Sequence, residues 1–165
     1  MAIVDAIVLE MEQEAKTTRR VLERIPDEKL AWKPHAKSMT LGQLAMHIAG
    51  GQRQIAKMAS EDAWEAGSFT VPEAKNRKEL LETLDEGTSS AKEILQKMDD
   101  AKLMAVWTLT KSGKTIMAVP RIGFIRSVMM NHFYHHRGQL SVYLRMLDIP
   151  VPSIYGPSAD ENPFG

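Results

Sequence analysis

The chain has no cysteine. That excludes disulfides, thiolate metal sites and a protein cysteine nucleophile, so any thiol chemistry must bring its thiol with a cofactor or substrate. Net charge is missing as well: 21 Lys+Arg against 21 Asp+Glu give +0. A balanced surface gives no electrostatic reason to expect nucleic acid or an anionic membrane as partner. It also protects little against self-association, which leaves room for a homo-oligomer. No apolar run is long enough to span a bilayer, and there is no internal repeat or low-complexity tract. The start, Met1-Ala2-Ile3-Val4-Asp5, meets an acid at once and lacks a signal-peptide pattern, so the expected location is cytoplasmic.

What is present is an ordinary globular composition, 44% hydrophobic and 25% charged. The 165 residues suit one domain spanning 1–165 with a core of its own. Ile3, Ile7, Met11, Thr18, Val21, Leu22 and Ile25 recur at helical spacing and predict a first helix over 3–25, stopped by Pro26. Thr40 with Gln43 three residues on forms a capping-box pattern before the stripe Leu41, Leu44, Ile48, Ile55 and Met58. Gly50-Gly51 lies inside that second helix and reads as a close helix approach. Residues 65–75 read as a loop. Asn76 with Glu79 opens a third helix that runs to about 99. Pro120 opens a fourth over about 121–147, closed by Asp148, Pro150 and Pro152. Between the third and fourth, Trp107 to Met117 reads either as a short hairpin around Ser112-Gly113 or as an irregular crossover. Residues 149–165 form an irregular C-terminal tail. The expected class is all-α: a four-helix bundle with a long connection before its last helix. The 11 methionines, Met58, Met129 and Met146 among them, read as core filler.

Five histidines remain: His35, His47, His132, His135 and His136. His132 and His136 are four apart, a spacing that lets two imidazoles converge on one ion at about 2.0–2.1 Å. An ideal advance of roughly 100° per residue puts His136 near the middle of an apolar stripe with Met129 and Leu140, His132 at its edge, and His135 off to the side. The pair reads equally as packing residues bonded to backbone or water. Phe133 stands where a metalloprotease helix would carry glutamate, so no general base comes with it. His47 lies at the edge of the second helix's apolar face and, alone, reads as a boundary residue. Gln139 shares the ligand face and reads either as orienting a ligand or as bonding between helices. Arg137 and Arg145 read as surface or interface charges. Tyr155 is a candidate to fold over the mouth of the site.

The block Asn131-His132-Phe133-Tyr134-His135-His136-Arg137-Gly138-Gln139-Leu140, followed by Tyr143-Leu144-Arg145, resembles the last-helix signature of the DinB-like (DinB/YfiT) superfamily. The stretch Leu41 to Ala49 is similar to that family's second-helix motif, and Ile149 to Glu161 to its tail. The resemblance implies an up-down-down-up four-helix bundle, often dimeric, with one divalent metal on three histidines. By position these are His47, His132 and His136. Nickel or zinc is the expected ion, with iron or manganese as other choices. Three neutral imidazoles leave coordination positions open, the layout of a reactive site. The resemblance further implies a transferase that adds a low-molecular-weight thiol to a small electrophile. A metal-dependent hydrolase and a non-catalytic, metal-stabilised dimerisation module are the alternatives.

Overall fold

The structure is a computed structural model that describes residues 2–68 and 70–164. Helix α1 (Ile3–Leu22) buries Ile7, Met11, Val21 and Leu22 on one stripe. It stops three residues before the expected end, but Ile25 in the following turn is still fully buried. Helix α2 (Leu41–Ser60) starts on the expected capping box. The Gln43 N–H donates to Thr40 Oγ1 and the Thr40 N–H donates to Gln43 Oε1, both at 3.0 Å. Asn76 Oδ1 accepts from the Glu79 N–H and opens α3 (Arg77–Leu95). This helix ends earlier than expected. Asp99 caps a separate short helix, α4 (Asp100–Met104), by accepting from the Lys102 N–H.

The expectation of an all-α chain is corrected here. The protein is mostly helical, but β1 (Ala63–Glu65), β2 (Val106–Lys111) and β3 (Lys114–Pro120) form a three-stranded sheet in that order. The hairpin of β2 and β3 is the one the sequence offered. Its turn has positive φ at both Ser112 and Gly113, the twist that suits a two-residue hairpin loop. Strand β1 lies in the segment read as the end of α2 and a loop. It pairs in parallel with β2, Ala63 opposite Thr108, so no local pattern announces it.

The last rod comprises α5 (Arg121–Phe124), a π-helical stretch over Ile125–Asn131 and α6 (His132–Met146). A π-helix closes i→i+5 bonds and holds more residues per turn than an α-helix, so the phase of everything after it slips. The consequence is visible in burial. The inward stripe of α6 is Phe133, Arg137, Leu140 and Leu144. His132 and His136 sit on its half-buried flank, not at its centre as the unbroken 100° advance placed His136. Arg137, expected at the surface, is 1% exposed, and Met146, expected in the core, is 56% exposed.

Two apolar clusters hold the helices together. One takes Val4 to Met11 of α1, Ala56 and Ala59 of α2, Ala91 and Leu95 of α3, and Phe124 to Met130 of the last rod. The other takes Val21 and Leu22, Leu41 to Ala49, Leu80 and Leu84, and Leu140 and Leu144. So α1 and the last rod run one way through the core, and α2 and α3 the other. Trp107, fully buried, fastens the sheet to the first cluster. Its ring stacks on Phe124 at 3.8 Å and its indole N–H donates to the Met58 carbonyl. No helix among the described residues is long and apolar enough to cross a membrane.

Candidate metal centre

Residues from two elements meet on one flank of the core. Helix α2 carries His47, and α6 carries His132 and His136 one turn apart. Their ring centroids lie 5.2 Å (His47–His132), 4.8 Å (His47–His136) and 4.3 Å (His132–His136) apart. One ring nitrogen from each falls within 4.8 Å of the other two. The Nε2 atoms of His47 and His132 face each other at 3.0 Å. Among the described residues no carboxylate or other group joins the three in such a cluster. His135 is exposed, as expected, and reaches only the back of His136 at 5.3 Å between centroids. His35 lies apart in the loop before α2, its Nδ1 accepting from the Lys37 N–H.

The donor set fits a divalent transition ion. Burial depresses His47 to about 4, and the neighbouring His136 and His132 add to the effect. His132 and His136 are also lowered, mainly by burial. All three are therefore neutral at physiological pH, the form in which imidazole ligates zinc, nickel, copper or iron. A testable consequence follows from the sign. Between about pH 6.5 and about 4 the unfolded chain takes a proton on residue 47 and the folded chain does not. Metal-free protein is therefore expected to lose stability as the pH falls through that window. Denaturant melts at pH 7 and pH 5 check it: the difference should shrink in His47→Asn.

The surroundings fix the rings. His136 Nδ1 lies 2.7 Å from Gln139 Oε1, which can only accept, so the proton sits on Nδ1 and the Nε2 lone pair is available to an ion. Of the two readings of Gln139, the one the structure supports is that it orients His136. Loss of such an outer partner typically weakens metal binding about 10–100-fold. Gln139→Ala is expected to fall in that range by calorimetric zinc titration, with the melting temperature little changed. Beneath His47 lies Phe133, 5.3 Å between centroids. Its ring occupies the space where Gly51 has no side chain: a Cβ there would lie 1.9 Å from it. The close approach read from Gly50-Gly51 is thus real at Gly51. Gly51→Ala should cost about 1–3 kcal/mol by overpacking and tilt Phe133 away from the histidines. Thermal melts with the zinc titration test both effects.

Beside the histidines opens a cavity of about 540 Å³, bordered by His47, His132, Phe133, Met58, Trp64 and Leu109. The sheet forms its far wall. From the sequence, Trp32, Trp64 and Trp107 lie in or near connections, where they could cover bundle ends or one could wall the cavity. The structure gives that role to Trp64, a choice the sequence does not make because it depends on the parallel pairing of β1. Tyr155 does not cover the mouth. Its hydroxyl bonds to Glu14 and Arg137 at the α1 side of α6. Arg145 pairs with Asp160 of the tail, the surface role expected of it.

Comparison with known proteins settles the family. A model of the DinB family matches residues 2–162. The chain belongs to the DinB family. The uncharacterized protein YrdA of Bacillus subtilis (strain 168) is 25% identical over 167 residues, covering 96% of this chain and 91% of its own. The crystal structure of a DinB-like protein from Bacillus cereus ATCC 10987 superposes with a TM-score of 0.73 at 22% identity, covering 93% of this chain and 98% of that one. YfiT of Bacillus subtilis superposes with a TM-score of 0.66 at 14% identity over 88% of this chain and 87% of its own. It is described as a probable metal-dependent hydrolase with an unusual four-helix bundle topology. At these identities the structural likenesses establish the DinB fold and nothing finer.

Proposed function

We propose that this DinB protein, an up-down-down-up four-helix bundle, holds one divalent ion on His47, His132 and His136 and adds a low-molecular-weight thiol to a small electrophile. The observation that carries this reading is the convergence of three neutral imidazoles at the edge of a cavity onto which His47 and His132 open. A nickel or zinc ion on these three histidines would supply Lewis acidity, which lowers the pKa of a thiol brought to the site. The chain's own residues do the rest. Gln139 holds His136 in one tautomer, Phe133 packs against His47, and the largely apolar cavity walls border the place where the reacting partners meet. The new bond joins sulfur to the electrophilic carbon as the bond from that carbon to its leaving group breaks. The leaving group (halide from an aryl halide) departs with the electron pair, and the thiol proton goes to solvent.

Hydrolysis is the second reading, favoured by the description of YfiT. The site gives it less support. A water nucleophile profits from a general base, and the cavity's one carboxylate, Glu65, is engaged elsewhere: it accepts from the Thr110 hydroxyl and the Ser112 N–H. A thiol starts from a pKa near 8.5 and needs no such help. The deciding experiment gives the zinc- or nickel-loaded protein a chromogenic aryl halide with several bacterial thiols, and separately a nitrophenyl ester without thiol. Thiol-dependent turnover that disappears in His132→Ala supports the transferase. Ester turnover indifferent to thiol overturns it in favour of the hydrolase. No turnover in either, with a large fall in melting temperature on chelation, overturns both in favour of a metal-stapled module.

A further inference from the structure

The cavity has a direction and a charge character, and together they describe what it takes. Its floor is a single face of α2: His47, Gly51, Ile55 and Met58 follow one another at helical spacing from the histidines outward. From His47 to Met58 is eleven residues of helix, about 16 Å at 1.5 Å per residue. Trp64 of β1 and Leu109 of β2, which pair with each other across the sheet, lie over the outer half of this floor. The inner end carries the imidazoles of His47 and His132. The outer end is built from Ile55, Met58, Trp64 and Leu109.

No lysine or arginine borders the cavity among the described residues. Its one carboxylate, Glu65, is held by the Thr110 hydroxyl and the Ser112 N–H and is kept in its charged form by those bonds. An anionic substrate body would therefore meet mainly apolar walls, the neutral side chains of Gln54 and Ser68 and one fixed negative charge, with no basic side chain to offset its desolvation. An uncharged apolar body meets walls that gain from its burial.

We infer that the substrate is an elongated, uncharged molecule with an apolar tail, which lies along α2 with its reactive end at His47 and His132 and its tail between Met58, Trp64 and Leu109. This rests on the proposed metal reading for the reactive end only, since the tail site is made by the chain alone. Trp64 and Met58 are then specificity-determining residues.

The test is binding to the full-length protein, in EDTA-treated and zinc-loaded forms, of primary n-alkanols from butanol to decanol and of the matching n-alkanoates. Calorimetry and tryptophan fluorescence are the readouts. In EDTA-treated protein the alkanols should gain about 3–4-fold in affinity per methylene, the value of a buried CH₂. Alkanoates of equal length should bind at least tenfold more weakly. Met58→Lys, at a half-buried position where Trp107 bonds to the backbone carbonyl and not to the side chain, should reverse that preference for the longer chains. Trp64→Ala should weaken long alkanols while leaving butanol nearly unchanged. Affinity independent of chain length, or alkanoates preferred by the EDTA-treated wild type, overturns the inference. Zinc titration separates it from the metal reading. Normal zinc uptake with no chain-length dependence removes the tail site alone. Chain-length dependence without zinc uptake removes the metal alone.

Discussion

His136→Ala is expected to abolish tight metal uptake, whereas His135→Ala leaves it within a few-fold of the parent protein. The two residues are neighbours in sequence, equal in chemistry and adjacent in space, with ring centroids 5.3 Å apart. What separates them is which way the helix turns them. His136 lies 4.3 Å from His132 and 4.8 Å from His47 between centroids, and its proton is held on the far nitrogen by Gln139. His135 is exposed and contributes no nitrogen to the cluster. Losing one of three ligands should cost more than the roughly 10–100-fold that loss of an outer-shell partner costs. Elemental analysis of untagged protein and calorimetric titration with zinc or nickel measure it. Swapped outcomes for the two variants would show that a different face of α6 carries the ligands.

The largest loss of stability is expected one position further on. Arg137 is 1% exposed and lies at the centre of the α6 stripe. Its guanidinium donates to the Glu14 carbonyl and to Thr18 Oγ1, both at 3.1 Å, and to the Glu14 carboxylate at 2.5 Å. It also donates to the Tyr155 hydroxyl, and it lies 5.3 Å and 5.1 Å from the ring centres of Tyr134 and Tyr155. Three parts of the chain, α1, α6 and the tail, thus share one cation. Arg137→Ala leaves Glu14, only 13% exposed, without its cationic partner and with the Tyr155 hydroxyl still donating to it, the kind of change that costs about 3–5 kcal/mol. The double variant Arg137→Met with Glu14→Gln should be much milder, because the isolated buried charge is gone. Chemical denaturation of the three proteins at one pH gives both numbers. Equal losses in the single and double variants would mean that the bonds to Thr18 and Tyr155, not the ion pair, carry the stability.

The misplacement of Arg137 shows where a sequence stops being informative. Caps are local, and Thr40-Gln43 and Asn76-Glu79 could be read directly because each side chain bonds to backbone three residues away. The hairpin turn at Ser112-Gly113 was readable for the same reason. The pair His132 and His136 followed from helical spacing alone. The phase of the last rod did not, since nothing in Ile125 to Asn131 announces a π-helical stretch, and an unbroken count carried across it assigns the wrong residues to the core. Arg137 and Met146 were misplaced for that reason. His47 could not be tied to the other two from its own surroundings. Only its match to a second-helix motif connected it with residues 85 positions away. The wall of the cavity was least visible, because β1 is three residues long and finds its partner only across the whole of α3.

The same separation sets an order in time. His47 leaves the ribosome 85 residues ahead of His132, a gap of roughly 4 to 17 s at 5–20 residues per second. During that interval the nascent chain offers only one imidazole of the three, since His35, also already made, lies apart from the cluster. Four more residues must follow before His136 completes the set. On the proposed metal reading, loading therefore belongs to the finished fold, after His136 has been added, and not to the growing chain.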